Sequence, residues 1–468
     1  MSGAPWWQPG SAEEAEWVAR DRQATWHPAT HFVDQELMPA LPIARAQGAY
    51  LETPSGARIF DAISSWWTCL HGHGHPHIAR ALSRQFEALD HVMFAGFTHR
   101  PAICLSEQLI ARAPAPKAPY SRVFYADCGS AAVEVALKMS LQYRQQTGEP
   151  ERLGLATLSN SYHGETLGAL AVSGNAAYRE RFQSLLFPTL TLPVPAGEHH
   201  QLADLEAGLG EHAEETERAI QLLTEHAPRL TALLIEPVIQ CAGRMVMPGV
   251  GMYRALVSAA QRLGIHVIAD EIAVGFGRTG RLFASEWGRP GEPPVQPDFL
   301  CLSKGLSGGV LPLSAVLVRA GIDAAFEGDP ARSFLHSHTF TANPLACAAA
   351  LASLELFDRE GTLERVGVLS RTLERLRCQV AEAAGPVVTA HRQAGLVAAL
   401  CLTPPESWSS PAGPGRLGLA LRGEALRRGV LLRPLHDTIY WMPPYCVTEA
   451  ELERLADVTL ECIRAVVS

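Results

Sequence analysis

The chain has 468 residues, a formal net charge of −9 and 47% hydrophobic residues, a composition typical of a globular, enzyme-sized protein with two or more domains. This acidic balance offers no basic face for nucleic acid, and no apolar run reaches the roughly 18 residues that span a bilayer. The chain begins without the basic and apolar segments of a signal peptide, and its ten cysteines are scattered singly. We therefore expect reduced thiols and a cytoplasmic location.

The first 60 residues are predicted to be irregular, apart from a small meander of short strands at 45–60. A helix is expected over 78–89, because apolar residues recur three and four apart after a proline. From about residue 120, short apolar runs alternate with helical segments, which predicts a mostly parallel sheet with helices on both faces. The apolar runs are 123–126, 153–158, 232–235, 266–270, 299–303 and 313–318.

A helix is predicted at about 344–357, and from about residue 358 onward the pattern changes to helices mixed with short strands. The predicted helices are 363–384, 416–428 and 449–467, and the predicted strands are 396–401 and 438–442. We expect three parts: an N-terminal segment 1–75, a large α/β domain 76–345, and a smaller α+β domain 346–468 to which the N-terminal segment contributes. Two Pro/Gly-rich stretches, 289–297 and 403–415, are predicted to be surface loops.

One lysine stands out by its position. The chain contains only three lysines, Lys117, Lys138 and Lys304, and only Lys304 lies where a buried strand would end at a cleft. A desolvated lysine can lose its proton, whereas an arginine cannot. Asp270 ends the preceding predicted strand, and ligands of parallel sheets bind beyond the carboxyl ends of the strands. An amine and a carboxylate are therefore expected at one edge of the sheet.

Two further strand ends carry complementary groups. Gly129 and Ser130 follow a strand and open a helix, where backbone N–H groups and a hydroxyl suit a phosphate. Tyr162 and His163 follow the next strand and offer an aromatic face. A phosphate seat, an aromatic ring, a carboxylate and an amine are the groups that pyridoxal 5′-phosphate requires.

A glycine-rich segment raises a second possibility, a nicotinamide-dinucleotide site. Gly275-Phe-Gly277-Arg-Thr-Gly280 matches G-x-G-x-x-G, but the acidic Asp270 and Glu271 precede the glycines and no strand ending in an acidic residue follows about 20 residues later. A plain turn is favoured. A PLP-free or NAD-binding protein of similar fold is the alternative from another class.

A histidine-rich segment raises a third possibility, a metal-dependent hydrolase. His71, His73 and His75 alternate as metal ligands on a strand could. The intervening glycines and the following proline make a poor strand, however, and no acidic residue lies within the cluster. A loop that leads into the next helix is favoured, and no metal is expected.

The chain resembles the class III (ω-type) aminotransferases of the fold-type I pyridoxal-phosphate superfamily over nearly its whole length. The resemblance rests on Trp26-His-Pro28, Ser64-Ser-Trp-Trp67, His91-Val-Met-Phe94, Phe97-Thr-His99, Ser161-Tyr-His-Gly164, Asp270-Glu-Ile272, Gly275 to Gly280, Asn343-Pro-Leu-Ala-Cys347, Arg433-Pro434 and Tyr440 to Tyr445. The Ser-Ser-Trp-Trp and Met-Pro-Pro-Tyr strings resemble the biotin-biosynthesis branch rather than the ornithine, 4-aminobutyrate and acetylornithine branches.

The resemblance implies specific residue roles. Lys304 would hold the cofactor covalently and move the proton, Asp270 would pair with the pyridine nitrogen, and Tyr162 would stack near the ring. The phosphate would be bound by Gly129 and Ser130 and, across a homodimer interface, by His338 and Thr339. The implied substrate-binding residues are Trp66, Trp67, Tyr162, Lys304, Ser337, Arg433 and Tyr440.

The resemblance also implies the substrates. The amino acceptor would be 8-amino-7-oxononanoate, with Arg433 clamping its carboxylate, and the donor would be S-adenosylmethionine. Ala29, Glu165 and the segment 335–340 depart from the common family pattern. The position of Ala29 is expected to contact the adenine of the donor, so another ω-aminotransferase, with lysine, a diamine or an ω-amino acid as donor, stays an alternative.

Overall fold

The structure is a computed structural model that describes residues 6–195, 213–289, 291–409, 413 and 415–467. The chain divides into two units, one formed by residues 76–366 and the other by residues 1–75 together with 367–468. Within the described residues, no helix is both long and apolar enough to cross a membrane. Pro290 and the residues 410–412 and 414, which belong to the two predicted loops, lie outside the described residues.

The described residues form fourteen strands and thirteen right-handed α-helices. The strands are β1 Arg45–Gln47, β2 Tyr50–Glu52, β3 Arg58–Asp61, β4 Tyr120–Ala126, β5 Gly154–Leu158, β6 Leu190–Leu192, β7 Leu230–Ile235, β8 His266–Asp270, β9 Phe299–Leu302, β10 Ser314–Arg319, β11 Val388–Ala394, β12 Val397–Leu402, β13 Val430–Leu431 and β14 Thr438–Trp441. The helices are α1 Ala12–Ala24, α2 Asp34–Leu37, α3 Pro76–Ala88, α4 Arg100–Arg112, α5 Gly129–Gln146, α6 Leu167–Ala171, α7 Ala176–Arg179, α8 Ala213–His226, α9 Val250–Arg262, α10 Pro344–Arg359, α11 Thr362–Ala384, α12 Leu417–Arg427 and α13 Glu449–Val467.

The unit 76–366 is built on a seven-stranded sheet in the order β4-β10-β9-β8-β7-β5-β6. Strand β10 pairs antiparallel with both of its neighbours, whereas β9, β8, β7, β5 and β6 pair in parallel. The central strands β7, β8 and β9 are buried along their whole length, which explains their continuous apolar runs. This sheet confirms the predicted fold class.

The other unit contains two small sheets, β1-β2-β3-β13 and β11-β12-β14. The meander of β1, β2 and β3 is antiparallel, as predicted, and β13 joins β3 in parallel. Helix α13 is fixed to the second sheet by the indole of Trp441, which donates a hydrogen bond to Thr459 Oγ1 at 3.0 Å. The predicted smaller domain with its own sheet structure is confirmed.

The prediction of an irregular N-terminus was wrong for α1. Ser11 caps this helix by accepting a hydrogen bond from Glu14 N, and the acidic residues of the first turn stabilise it through their interaction with the helix dipole. The residues of α1 are mostly polar on all sides, so no apolar periodicity marked it as a helix. Helix α4 and strands β6 and β11 were also missed. The boundary between the units falls inside α11, at 366–367, and the division into 1–75, 76–345 and 346–468 stays a prediction.

Candidate active site

The amine and the carboxylate expected from the sequence lie at the ends of two neighbouring parallel strands. Asp270 is the last residue of β8 and faces Cys301 of β9 in the strand register, and Lys304 begins a short 3₁₀ turn just beyond β9. Lys304 has a backbone φ of 45°, in the left-handed region that costs a non-glycine residue about 1–2 kcal/mol. Such strain is concentrated at functional sites.

The environment of Lys304 makes its ammonium easier to deprotonate than that of an exposed lysine. Burial lowers the pKa of the Lys304 ammonium, and the negative charge of Asp270 opposes this shift only in part. The preceding residue is fixed, because Ser303 Oγ donates a hydrogen bond to Leu313 O at 2.7 Å. A lysine that deprotonates readily and is held at a strand end is suited to covalent and proton-transfer chemistry.

Asp270 is oriented by a histidine that the sequence analysis treated only as an aromatic neighbour. His163 Nδ1 lies 2.7 Å from Asp270 Oδ2, and because a carboxylate only accepts, this nitrogen carries the proton. Asp270 Oδ1 accepts a second hydrogen bond, from Ile272 N at 3.0 Å. Both side chains are buried. The carboxylate is therefore presented in a fixed direction.

Glu236 is the second site residue that sequence reasoning missed. It follows β7 directly and accepts hydrogen bonds from Tyr162 N at 3.1 Å and Cys241 N at 3.2 Å. Burial raises the pKa of Glu236 well above its usual range, and the charge of Asp270 adds to this rise. The available signal was its position: Glu236, like His163, stands just after a strand of the parallel sheet.

The start of α5 offers the predicted phosphate seat. Its N-cap residue, Cys128, makes no side-chain capping bond, so the first N–H groups of the helix point outward. A Cβ on Gly129 would lie 2.9 Å from Ile272 Cγ2, so any other residue would force the Ile272 side chain to shift. Ser130 Oγ accepts a hydrogen bond from Glu165 N at 3.2 Å and keeps its own proton for a ligand.

Tyr162 is held by the residue that departs from the family pattern. Its hydroxyl donates a hydrogen bond to Glu165 Oε1 at 3.0 Å, and its ring lies 4.9 Å from that of Tyr178. Burial, followed by the charge of Glu165, raises the pKa of Tyr162. The phenol therefore stays protonated at neutral pH.

The segment 335–340 is held within its own unit. His338 Nδ1 lies 2.8 Å from Asp127 Oδ2, and His338 Nε2 lies 3.1 Å from His336 Nε2. Ser337 and Thr339 are exposed. His338 is therefore in contact with Asp127, the residue after β4. The phosphate contacts of His338 and Thr339 stay predictions.

The other unit brings together the predicted substrate-binding residues Trp66, Trp67, Arg433 and Tyr440. The guanidinium carbon of Arg433 lies 4.4 Å from the centroid of the Trp66 ring, which is 40% exposed. Trp67 and Tyr440 are buried, with ring centroids 6.0 Å apart. Arg433 also donates a hydrogen bond to Ala29 O at 3.4 Å. Trp66 and Arg433 thus form an accessible cation–π pair.

The segments behind the two alternative functions have other structural roles. Gly275 to Gly280 form a turn, as predicted, and place the Arg278 side chain in the interior. His73 Nε2 lies 2.9 Å from Asp61 Oδ2. In the part of the chain that the structure describes, no group of three or more histidine, cysteine or acidic residues could hold a metal ion.

The chain matches a known protein family and curated proteins over most of its length. The class-III aminotransferase family model matches residues 32–463. The chain is 39% identical to the adenosylmethionine-8-amino-7-oxononanoate aminotransferase of Helicobacter pylori, over 93% of this chain and 95% of that protein. It is 40% identical to the protein of the same name from Nitratidesulfovibrio vulgaris, over 95% and 81% of the two chains.

Two solved structures show the same fold. The adenosylmethionine-8-amino-7-oxononanoate aminotransferase of Methanocaldococcus jannaschii matches with a TM-score of 0.87 and 29% identity, over 97% of this chain and 99% of that one. The ω-transaminase of Pseudomonas jessenii, solved in complex with PMP, matches with a TM-score of 0.84 and 27% identity, over 96% and 98% of the two chains.

Proposed function

Because the chain belongs to the class III aminotransferases, we propose that it transfers the amino group of S-adenosylmethionine to 8-amino-7-oxononanoate, forming 7,8-diaminononanoate in biotin biosynthesis. The enzyme is a pyridoxal 5′-phosphate-dependent aminotransferase. The observation that carries the chemistry is the pairing of Lys304 and Asp270 at the ends of adjacent strands. The printed names of the relatives support the substrates.

The residues at the strand ends fit this cofactor. Lys304 supplies an amine of lowered pKa, Asp270 supplies a buried, oriented carboxylate, and the start of α5 supplies outward N–H groups beside Gly129, where a Cβ would be too close to Ile272. When bound, the cofactor supplies an electron sink for the carbanion formed at the substrate Cα.

The protein side chains then have distinct tasks. Lys304 would hold the cofactor covalently, and its free amine would carry the proton from the substrate Cα. Asp270 would keep the pyridine nitrogen protonated, and the His163 N–H holds that carboxylate in place. Tyr162, a protonated phenol held by Glu165, lies at the end of β5 as a polar contact for substrate.

Arg433 is the proposed partner of the acceptor carboxylate. Within the described residues it forms no salt bridge, and its guanidinium plane lies near the Trp66 ring. A guanidinium with a neighbouring aromatic face suits a carboxylate at the end of an aliphatic chain. The 8-amino-7-oxononanoate molecule has that combination of a carboxylate and an apolar chain.

A homodimer with shared phosphate sites is part of the proposal. Apolar side chains of the unit 76–366 are strongly exposed, including Phe97, Phe340 and Leu335, the last at 89%, and exposed apolar patches mark interaction surfaces. Thr339 is also exposed. We also propose a cytoplasmic location, which is supported by ten cysteines of which none forms a disulfide.

Subunit mixing tests the shared site. Lys304→Ala and Thr339→Asp are expected to inactivate homodimers separately, the second because a carboxylate would repel the cofactor phosphate. A mixed dimer should regain activity, because one of its two sites then has Lys304 and the unaltered Thr339. Mixtures that stay inactive, although the subunits exchange, would contradict a shared site.

The donor is tested by a single-turnover experiment. The holoenzyme is mixed with S-adenosylmethionine or with lysine, and the absorbance of the cofactor is followed as it converts to its amine form. S-adenosylmethionine should convert it, and 8-amino-7-oxononanoate should then restore the starting spectrum. Conversion by lysine and not by S-adenosylmethionine would replace the proposed donor, and a protein that never takes up PLP would overturn the function itself.

A further inference from the structure

The segment Ser64–Trp67 has an unusual backbone. All four residues are left-handed, with φ values of 51°, 45°, 71° and 75° along the segment, although none of them is glycine. Trp67 N donates a hydrogen bond to Ile63 O at 2.8 Å, and Thr68 N donates one to Ser64 O at 2.9 Å. These bonds close a single left-handed helical turn, a conformation that L-residues normally avoid. Other interactions must therefore select it.

A group of three polar side chains supplies those interactions. Asp61 Oδ2 accepts a hydrogen bond from Ser65 Oγ at 2.8 Å and lies 2.9 Å from His73 Nε2. Because the carboxylate only accepts, His73 Nε2 carries a proton, and this nitrogen also lies 3.3 Å from Ser65 Oγ. Asp61 is fully buried, so its charge depends on these donors.

The group is fixed to the sheet on both sides. Asp61 is the last residue of β3, and its second oxygen accepts a hydrogen bond from Ile63 N at 3.3 Å. The backbone of His73 exchanges two hydrogen bonds with Gly48, at 2.8 and 3.0 Å. Ser65 is therefore held between two rigid points, which fixes the middle of the left-handed turn.

The turn decides where two adjacent tryptophans point. Trp67 packs against Tyr440 in the interior, while Trp66 faces outward beneath Arg433. In a right-handed turn the Cβ atoms would leave the backbone in different directions, so Trp66 would not meet the guanidinium. The cation–π pair thus depends on the handedness of Ser64–Trp67.

We propose that Asp61, Ser65 and His73 are positioning residues that hold Trp66 under Arg433 and so shape a binding site for an aliphatic carboxylate. The choice of ligand rests on the proposed function, in which Arg433 binds the acceptor carboxylate. None of the three residues touches the substrate in this proposal. They act through the handedness of the turn.

Two substitutions at Ser65 separate the hydroxyl from the backbone. Ser65→Ala removes the hydrogen bond and leaves a residue that disfavours positive φ, whereas Ser65→Gly removes the same bond but adopts positive φ easily. If handedness is what matters, Ser65→Gly should retain more binding than Ser65→Ala. His73→Phe keeps a ring and removes the Nε2–H donor to Asp61, so it should resemble Ser65→Ala.

The test measures binding of nonanoate to the holoenzyme by calorimetry, with methyl nonanoate as the uncharged control. Ser65→Ala and His73→Phe should weaken nonanoate binding by about five- to tenfold, the range of one lost hydrogen bond, and Ser65→Gly should recover most of it. The KM for 8-amino-7-oxononanoate should rise by the same factor, with kcat changed less than about twofold.

Thr448→Ala is the matched control. Thr448 Oγ1 also donates to a carboxylate, Glu451 Oε2 at 2.9 Å, in the same unit, but at the start of α13. Its loss should leave nonanoate binding unchanged. Unaltered binding in Ser65→Ala, or equal weakening in Ser65→Gly and Ser65→Ala, would overturn the positioning role. If the variants show the expected binding pattern but the enzyme does not aminate 8-amino-7-oxononanoate, only the proposed function is overturned.

Discussion

The end of β9 and the turn Ser64–Trp67 both place non-glycine residues in the left-handed region, but they are held in different ways. Lys304 is a single left-handed residue just beyond a buried strand, and that strand pairs regularly with β10 as far as Leu302. The turn has four strained residues in succession and relies on side-chain hydrogen bonds to Asp61. One site is fixed by the sheet and the other by a polar group.

The two regions therefore differ in what their residues control: proton affinities at the strand ends, and side-chain positions around Trp66. At the strand ends, the side chains alter one another's proton affinities, since burial and the charge of Asp270 shift the pKa values of Lys304 and Glu236. Around Trp66, the polar group determines only where a ring and a guanidinium lie. Changes at the strand ends should therefore lower the rate, whereas changes at the turn should weaken binding.

The largest effect is expected for Lys304→Ala. In the proposed function this amine holds the cofactor and carries the proton, so its removal should lower kcat by at least about 10⁴-fold. The absorbance of the lysine-bound cofactor should disappear as well. Lys117→Ala is the matched control, because the Lys117 ammonium donates an exposed hydrogen bond to Gln261, and it should retain full activity. Appreciable transamination by Lys304→Ala would refute the assignment of this lysine.

A smaller loss is expected for Asp270→Asn. The amide keeps the size of the side chain but loses the charge that would keep the pyridine nitrogen protonated, so kcat should fall by roughly 10²–10³-fold. It also leaves the His163 N–H facing a weaker acceptor. The measurement is the rate of the donor half-reaction. A rate within tenfold of the wild-type value would mean that another group holds the nitrogen.

The contrast between the two regions also explains what the sequence could predict. Buried parallel strands produce apolar runs, and their ends gather ligand groups at one edge, so Lys304, Asp270 and Gly129 could be placed by pattern alone. His163 and Glu236 stand at the same edge, but their roles depend on three-dimensional neighbours. The family resemblance then supplied the cofactor and the substrates.

The turn Ser64–Trp67 could not be predicted in the same way. Its left-handed backbone contradicts the local preferences of serine and tryptophan, and it is selected by Asp61 and His73 through tertiary contacts. Local patterns do not record such tertiary contacts. Helix α1 was missed for a different reason: its polar sequence carries almost no apolar stripe, although Ser11 and Glu14 have the spacing of a helix N-cap.

Arg433→Lys probes the binding side of the comparison. Lysine keeps the charge but lacks the planar fork that pairs with a carboxylate and lies over Trp66. The KM for 8-amino-7-oxononanoate should rise about tenfold, with kcat within about twofold. Arg427→Lys, an exposed arginine of the same unit that pairs with Glu424, should change neither constant. A fall in kcat without a change in KM would assign Arg433 to the chemistry instead.

Of these substitutions, Glu271→Gln should change the rate least. It is a matched control for Asp270→Asn, because Glu271 is the next residue in the sequence. Successive strand residues point to opposite faces, and Glu271 is buried away from the site, where it accepts hydrogen bonds from Ala284 N at 2.6 Å and from Ser285 N and Oγ at 2.9 and 2.6 Å. Its substitution should destabilise the fold by about 1–3 kcal/mol and leave kcat almost unchanged.

The pH dependence of this destabilisation has a definite sign. Burial raises the pKa of Glu271 from 4.5 to about 7, so the folded state binds this proton more tightly than the unfolded state does. The stability that Glu271 contributes is complete below pH 4.5 and is lost as the pH rises through about 7. The difference in thermal midpoint between wild type and Glu271→Gln should therefore be larger at pH 5 than at pH 8. A difference that grows towards pH 8 would mean that Glu271 is ionised in the folded protein and stabilised by its three donors.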